Sequence, residues 1–481
     1  MDIIALLGEL VEGIFEAEAE FLNEPKQFAA FETRVHGLFD HGALRFIEGV
    51  LGDADRKICE SSYRKEHFDI QRHEKRTLIT TVGDAVFEQT LFRERESGRY
   101  RHLLSEMMGL AAHERFSEAA EAEILKEAAR TSYREAAEVL PSKSRITKTT
   151  VMNKVHGMTE KFPTEKAEEK KHCRYLYVEA DEDHIAEQHG KGSRGHNGSF
   201  ISRVAYVYDG VEKVCAGRKE LKGIHYEAGL YEGREGIEEF WKTVGRYIRK
   251  HYETGEIERI YISGDGASWI KSGTEYIPES VFVLDRFHLM KYIDRAAGRM
   301  LDEKELCRGE IYRMLQGNHR KEFTEYTQRM AKSAGNEAEI LELRSYVLNN
   351  WKAIQLALHD ENVNGCSAEG HVSHLLSARM SSRPMGWSQT GADRMSRLRA
   401  YVKNHGGSEI LELVRYTREQ ARLEKTGTED AVPVLFGKIR HTAHATDGYD
   451  QARSYIDRLQ ATIPGYTARK SYSIRHQLKL I

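Results

Sequence analysis

The stretch ERIYISGDGASWI, residues 258–270, places an aspartate directly after a run of β-branched and aromatic residues. Such a run predicts a buried strand, and the Gly-Ala-Ser that follows Asp265 predicts a turn into a helix. A carboxylate at this point is poorly placed for a hydrophobic core and well placed for chemistry. Asp265 therefore indicates a functional site, provided that other carboxylates reach the same edge of the sheet.

The segments around this strand alternate between strand and helix patterns. Strands are predicted at 174–181, 257–265 and 280–285, and 202–217 predicts two more, joined by a hairpin turn at Asp209-Gly210. The helical patterns lie at 233–252, at 266–277 as a short helix and turn, from 286 to about 360, and at 365–380 as a last helix. This order predicts a mixed sheet with helices packed on it. The fold class expected is an α/β core of the ribonuclease H-like type, interrupted by an all-helical insertion before its final helix.

The rest of the chain is predicted to be mainly helical, with a short hairpin near 76–92 that turns at Gly83-Asp84. A length of 481 residues predicts two to four domains. The regions expected are an N-terminal helical region (1–70), a DNA-binding region (71–170), the first part of the core (171–290), the helical insertion (291–364), the final core helix (365–400) and a C-terminal helical and basic region (401–481).

Two other aspects of composition limit the class of protein. No segment approaches the roughly 18 uninterrupted apolar residues of a membrane span, and the acidic N-terminus is unlike a secretory signal. The five cysteines are scattered and form no CxxC pair. A disulfide framework or a cysteine zinc knuckle is therefore not expected, and the expected location is a reducing cytoplasm without membrane attachment.

The net charge of −3 is unevenly distributed. Residues 1–60 carry 13 acidic and 5 basic side chains, whereas 141–174 carry 9 basic and 4 acidic, and 433–481 carry 8 basic and 3 acidic. Local basic surfaces, rather than the total charge, attract phosphates. These two segments are therefore candidates for DNA binding, although such runs are often only solvated faces.

Residues 132–158 predict two helices around a short turn, which is the pattern of a helix-turn-helix. Thr147 is a candidate cap for the second helix. That helix would present four side chains that can contact phosphates and base edges: Lys148, Thr149, Asn153 and Lys154. The alternative is an ordinary helical hairpin with a polar face.

Three carboxylates form the candidate catalytic set. Asp181 and Asp265 close strands that lie side by side in the predicted sheet, and Glu369 lies in the last helix, from which it can reach back. Oxygen ligands without cysteine suit Mg²⁺ or Mn²⁺, and two such ions about 3.5–4 Å apart can activate the attacking oxygen and stabilise the leaving oxygen of a phosphodiester. Asp183 competes with Asp181, and in a chain with 75 acidic residues three can be chosen to fit a template.

Four segments carry a resemblance to a known family: LYVEADEDHIAEQHG (176–190), YISGDGASWIK (261–271), VFVLDRFHLMKYI (281–293) and GCSAEGHVSHLLSARMSSRPMGWS (365–388). Together they resemble the DDE transposases of bacterial insertion sequences, most closely the ISLre-two type, which is allied to Mutator-like transposases. The Mutator-like group has a motif of Cys or Asp, two residues and His after its second catalytic Asp, and Asp285 to His288 match it. The resemblance extends from about residue 70 to the C-terminus, and the acidic N-terminal 60 residues match nothing in it.

The resemblance implies that Asp181, Asp265 and Glu369 are catalytic and bind two Mg²⁺ or Mn²⁺ ions, with Asp285 and His288 accessory to the site. It also implies hydrolytic cleavage of transposon ends in duplex DNA, followed by attack of the freed 3′-hydroxyl on target DNA. Because two DNA ends must be held together, a homo-oligomer is expected. The rival functions are a metal-dependent endonuclease or resolvase on the same core, and a non-catalytic DNA-binding regulator derived from a transposase.

Side chains around the last helix have two interpretations each. Arg379, Arg383 and Trp387 are candidates for phosphate contact and base stacking, and Trp387 alternatively belongs to the core. His371 and His374, with Glu369, lack the histidine spacing of a metalloprotease zinc helix. His288 either bonds to Asp285 or a scissile phosphate, or is a core or helix-capping histidine.

Overall fold

The computed structural model describes residues 3–160, 162–163, 169–188, 198–215, 218–333, 338–383 and 385–426. These residues form two compact units. The first comprises 3–124, 133–151 and 414–426, and the second comprises 125–132, the described residues of 152–383, and 385–413. The basic segment 433–481, with the candidate phosphate contacts Lys470, Arg475 and Lys479, lies outside the described residues.

The first unit begins with helices, as the sequence predicts. The helices are α1 (Ile3–Asn23), α2 (Phe28–Glu60) and α3 (Ser62–His67). A hairpin of β1 (Phe68–Thr80) and β2 (Gly83–Glu94) follows, with the short β3 (Tyr100–Arg101) on its edge. The predicted hairpin is present, but its turn is formed by Thr81 and Val82 and not by Gly83-Asp84, because Thr80 already pairs with Gly83. Gly83 begins β2 with a φ of +130°, which suits glycine. The strands of the hairpin are longer than the sequence pattern indicated.

The predicted helix-turn-helix is formed fully only in its second helix. The helices after the hairpin are α4 (Leu103–Met107), α5 (Glu118–Ala128), α6 (Tyr133–Ala136) and α7 (Lys148–His156). The expected cap is present, because Thr147 Oγ1 accepts a hydrogen bond from the backbone N–H of Thr150 at 3.2 Å. The first helix, α6, has only four residues. The segment after it is held as a loop, since Ser144 donates its backbone N–H to Asp84 at 2.8 Å.

The second unit is built on a five-stranded mixed sheet, as predicted. Its first strands are β4 (Tyr175–Ala186), β5 (Ser199–Tyr208), β6 (Gly210–Cys215), β7 (Arg218–Lys222) and β8 (His225–Gly229). Then come α8 (Gly233–His251), β9 (Arg259–Gly264), α9 (Ser268–Lys271), α10 (Gly273–Tyr276) and β10 (Ser280–Leu284). The sheet order is β10-β9-β4-β5-β8; β10, β9 and β4 are mutually parallel, and β5 pairs antiparallel with both β4 and β8. The amphipathic helix α8 packs Phe240, Trp241 and Val244 against one face of this sheet.

The hairpin predicted at Asp209-Gly210 is wrong. Strand β6 does not pair with β5; it pairs with β7 in a separate two-stranded sheet. The neighbour of β5 in the main sheet is β8, which the sequence analysis did not identify. The physical reason is burial: β8 contributes buried Tyr226 and Ala228 to the core, whereas Val211 and Val214 of β6 are exposed.

Strand β4 also differs from its prediction, because it continues to Ala186 and Asp181 does not close it. Parallel pairing with β9 ends at Glu179, opposite Ser263. Antiparallel pairing with β5 continues on the other side as far as Ala186. Asp181 therefore lies just beyond the end of one ladder and inside the other.

Helices complete the second unit. The helical region after β10 comprises α11 (Arg286–Ala297), α12 (Lys304–Gln316), α13 (Arg320–Ser333), α14 (Ala338–Asn349) and α15 (Trp351–His359). The last core helix consists of α16 (Ala368–Val372), a π-helical turn (Ser373–Ser377) and α17 (Ala378–Met380), and α18 (Gln389–His405) follows it. The next helix, α19 (Ile410–Thr426), belongs to the first unit from residue 414 onward. The long helical region and the last helix are where the sequence predicts them. No helix among the described residues is long and apolar enough to cross a membrane.

Candidate active site

The register of the three parallel strands aligns three aspartates. Glu179 of β4 pairs with Ser263 of β9, so a step of two residues along both strands places Asp181 beside Asp265. Leu284 of β10 pairs with Gly264, and the next residue, Asp285, donates its backbone N–H to the Gly264 carbonyl at 2.8 Å. Adjacent strands lie about 4.8 Å apart. The fold thus brings Asp181, Asp265 and Asp285 together at one edge of the sheet.

Asp181 is half-buried, and its environment opposes its negative charge. Burial, together with the charge of Asp265, raises the pKa of its carboxyl to about 6. The backbone N–H of Glu182, which donates to Asp181 Oδ1 at 2.8 Å, and the nearby His288 act in the opposite direction. Asp181 and Asp265 are thus two carboxylates that repel each other in partly desolvated surroundings. A bound cation would reduce this repulsion.

Asp265 is positioned by the turn that follows β9. Its Oδ1 accepts a hydrogen bond from the backbone N–H of Ala267 at 2.8 Å, and its carbonyl accepts one from the Tyr346 hydroxyl at 2.6 Å. Gly266 between them has a φ of +96°, which side chains rarely adopt. The Gly-Ala pair after Asp265 therefore turns the chain and fixes the position of this carboxylate.

Gly264 allows β9 to approach β4 closely beside the two acids. A Cβ atom at this position would lie 2.8 Å from the Ala180 carbonyl and 2.7 Å from Ile270 Cδ1. We expect Gly264→Ala to lower the free energy of unfolding by about 1–3 kcal/mol, because the backbone of β4 would have to shift. Urea unfolding measures this. Gly210→Ala is the control, since nothing lies within 4 Å of its Cβ, and equal losses in both variants would contradict the close approach.

Asp285 and His288 form a bonded pair at the start of α11. Asp285 is buried, and its Oδ1 caps the helix by accepting the backbone N–H of Phe287 at 3.0 Å. Its Oδ2 lies 2.8 Å from His288 Nδ1. This bond raises the pKa of His288, burial opposes the rise, and the charges of Asp285, Asp181 and Asp265 support it. Both Asp285 oxygens are engaged within the helix start, so this residue orients the imidazole.

Glu369 lies in the first turn of α16, where its side chain is exposed. Across the ranges that the structure describes, no group of three or more His, Cys, Asp or Glu side chains is arranged to hold a metal ion. The fold therefore brings Asp181 and Asp265 together but does not add Glu369 to them. The alternative of a zinc site is not supported either, because His371 Nδ1 is already within hydrogen-bond distance, 2.6 Å, of the Tyr226 hydroxyl.

Asp183 and Glu179 attach the last core helix to β4. Asp183 Oδ2 accepts hydrogen bonds from the hydroxyls of Ser377 at 3.1 Å and Ser381 at 2.8 Å. This oxygen of Asp183 is thus occupied by hydrogen bonds to the helix. The geometry therefore favours Asp181 over Asp183 as the reactive acid. Glu179, which the sequence analysis overlooked, is buried and accepts the backbone N–H of Ser367 at 2.6 Å. Its position two residues before Asp181, on the same face of a strand, was the available signal.

The arginines and tryptophan around the last helix divide into buried and exposed positions. Arg379 is buried, donates to the Ala128 carbonyl at 3.1 Å and places its guanidinium 5.0 Å from the centre of the Trp387 ring. Trp387 is also buried. These two side chains pack in the interior and are not presented to DNA, which corrects the expectation of a phosphate contact by Arg379. Arg383 is exposed and remains a candidate.

The candidate DNA-binding side chains of α7 point outward as expected. Lys148, Thr149 and Asn153 are exposed, and Lys154 is half-buried. In the first unit, a cleft of about 460 Å³ is lined by Lys148 and Thr149 together with Arg134 and Arg145. The sequence analysis did not single out these two arginines, although Arg145 lies in the basic segment.

Comparison with known proteins identifies relatives that match most of this chain. A family model described as an uncharacterised protein family, UPF0236, matches residues 22–417. A UPF0236 protein of Caldanaerobacter subterraneus subsp. tengcongensis is 38% identical over 378 residues, which cover 78% of this chain and 77% of that protein. Its name joins eleven designations. Another from the same organism is 36% identical over 399 residues, covering 82% of this chain and 83% of that protein.

Among solved structures, the chain is similar to the Drosophila P element transposase strand transfer complex. The sequence identity is 11% and the TM-score is 0.20, with 69% of this chain and 92% of that chain covered. A TM-score of this size carries no argument about the fold or activity of this chain.

Proposed function

The chain belongs to the UPF0236 family, and from that premise we propose that it is a divalent-metal-dependent DNA transposase with a ribonuclease H-like core. It would cleave the ends of a DNA element by hydrolysis and join the 3′-hydroxyl ends to target DNA by transesterification. The observation that carries this proposal is the register that places Asp181 beside Asp265 on adjacent parallel strands. The resemblance of four ordered segments to DDE transposases supplies the class of reaction.

The chemistry of the two acids fits a divalent cation. Both side chains offer hard oxygen ligands, and a bound cation would offset the burial and the repulsion by Asp265 that raise the pKa of Asp181. Asp181 and Asp265 would hold Mg²⁺ or Mn²⁺, with two ions proposed. Glu369 remains the proposed third ligand on the strength of the GCSAEGH motif, not of its exposed position. When bound, such ions lower the pKa of water and stabilise charge on phosphate oxygens.

The chain's own residues would prepare the site. Asp285 fixes the ring of His288, whose raised pKa favours a positive imidazolium beside the carboxylates. That charge can attract a scissile phosphate. The exposed side chains of Arg383 and Lys148 and the half-buried Lys154 would contact DNA phosphates.

The relatives add a separate line of support. One of them carries eleven designations under a single protein name. A sequence with many designations in one organism is expected when the encoding element copies itself within the genome. A housekeeping nuclease is not expected to multiply in this way.

The test is a cleavage and joining assay with the full chain and duplexes taken from the DNA that flanks its gene. Parallel reactions contain Mg²⁺, Mn²⁺, Ca²⁺ or EDTA. We expect cut ends and joined products with Mg²⁺ or Mn²⁺ only. Cleavage without joining would indicate an endonuclease or resolvase, and binding without cleavage would indicate a regulator.

A further inference from the structure

A cleft of about 260 Å³ lies beside the last core helix, away from the aligned aspartates. Its walls include Tyr226 of β8, Ser367, His371 and His374 of the helix segment, and Lys403 of α18. No carboxylate is among the described residues that line it. The nearby Glu179 is buried and accepts hydrogen bonds from Ser367, Tyr206 and Tyr208. The cleft therefore presents the Lys403 ammonium group and several hydrogen-bond donors without a competing acid.

The walls of the cleft are held in fixed positions. Asn404, next to Lys403, bonds to both the backbone N–H and the carbonyl of Tyr226, at 2.7 and 2.8 Å. Arg399 of the same helix donates to the carbonyls of His374, at 2.8 Å, and Leu375. Helix α18 is thus attached to two walls at once. A preformed site loses little conformational entropy when it binds.

The helix itself is irregular at this point. Residues Ser373–Ser377 form a π-helical turn, and His374 lies within it. Such turns are rare and occur frequently at functional sites. The π-helical turn and the cleft are separate features, and both involve the same short segment around His374.

His371 contributes a hydrogen-bond donor to the cleft that it lines. The Tyr226 phenol keeps its proton, since burial raises its pKa to about 12, and it lies 2.6 Å from His371 Nδ1. With Nδ1 accepting the hydrogen bond from that phenol, the ring carries its own hydrogen on Nε2.

We propose that this cleft binds one phosphate of the DNA backbone, held by Lys403 and His374 with the His371 N–H. The inference rests on the proposed function and deepens it. A phosphate bound here would align the DNA strand along the helix that carries Glu369. The phosphate group, rather than a base, is the ligand because the cleft offers donors and positive charge, while the nearest aromatic face, His371, is already packed 4.4 Å from Tyr206.

The first experiment compares wild type with the double variant Lys403→Gln/His374→Gln on a labelled duplex from the flanking DNA and on a shuffled duplex. Binding is measured over a series of salt concentrations. We expect about 5- to 10-fold weaker binding of both duplexes and a slope of log K against log salt that is smaller by about 1–2. Lys352→Gln, an exposed lysine on α15, is the control, and Lys403→Arg should recover part of the affinity. Unchanged affinity and slope in the double variant would overturn the inference.

A second probe separates this inference from the proposed function. Inorganic phosphate is titrated into the full chain while histidine imidazole NMR signals are recorded, with His374→Gln identifying the relevant signal. A saturable shift that Lys403→Gln abolishes supports the cleft, even if the wild type cuts no DNA. Absence of a saturable shift, in a wild type that cuts and joins DNA, removes the cleft and leaves the transposase proposal intact.

Discussion

Replacing Asp265 by asparagine is expected to lower strand cleavage and joining by about 10³-fold or more, because charge stabilisation by a bound cation supplies several kcal/mol. The side chain keeps its size, and its Oδ1 can still accept the Ala267 N–H, so the turn after β9 should persist. DNA affinity and the urea unfolding midpoint should stay close to wild type. The measurements are rates of cleavage and joining with Mg²⁺ or Mn²⁺, accompanied by a binding isotherm.

The matched control is Asp183→Asn, which removes one negative charge from the face of β4 that also carries Asp181. Because Asp183 is engaged by Ser377 and Ser381, we expect its variant to retain activity within a few-fold of wild type, and Asp181→Asn to be as inactive as Asp265→Asn. An Asp265→Asn protein that cuts as fast as wild type would remove the metal-site proposal. Inactivity of Asp183→Asn with an active Asp181→Asn would exchange the roles of these two acids.

Glu179→Ala is expected to produce the largest loss of stability, about 3–5 kcal/mol in the free energy of unfolding. The side chain is 1% exposed and accepts hydrogen bonds from the hydroxyls of Tyr206 and Tyr208 and from the Ser367 backbone. Each buried donor left without a partner costs about 1–3 kcal/mol. Urea unfolding followed by circular dichroism measures the difference.

Two further variants define the size of this effect. Glu275→Ala removes an exposed carboxylate from the same unit and should change the free energy of unfolding by less than about 0.5 kcal/mol. Tyr208→Phe removes one donor and leaves an acceptor with other partners, so a loss near 1 kcal/mol is expected. A loss below 1 kcal/mol for Glu179→Ala would mean that the helix is not held through this carboxylate.

The sequence pattern was sufficient for the elements whose hydrophobic residues repeat strongly. Strand β9, helix α8 and the mixed sheet follow from apolar runs and helical spacing. Strand β8 was missed because HYEAG contains only two apolar residues that the sheet buries. The end of β4 was placed too early because pairing with β5, a long-range contact, extends it beyond the apolar run.

The candidate site shows the same division. Asp181 and Asp265 were predicted as neighbours because adjacent parallel strands bring their ends together, and the register agrees. The positions of Arg379 and Glu369 depend on how the last helix packs, which no local pattern encodes. For Glu179 the sequence offers only its spacing of two residues from Asp181, and its burial beneath two tyrosines becomes evident in the structure.

The half-buried carboxylate of Asp181 has a consequence for gene copies in which mutation has replaced this acid. With a pKa raised to about 6, the folded chain binds a proton more tightly than the unfolded chain does. Without metal, the contribution of this carboxyl to stability is therefore fully present below about pH 4 and is lost as the pH rises through 6, a difference of roughly 3 kcal/mol at most. A copy that mutates Asp181 to a neutral residue escapes this loss, and a higher melting temperature in EDTA would register it. Under the proposed function, loss of this acid would therefore leave an inactive chain that is at least as stable without metal as the active one.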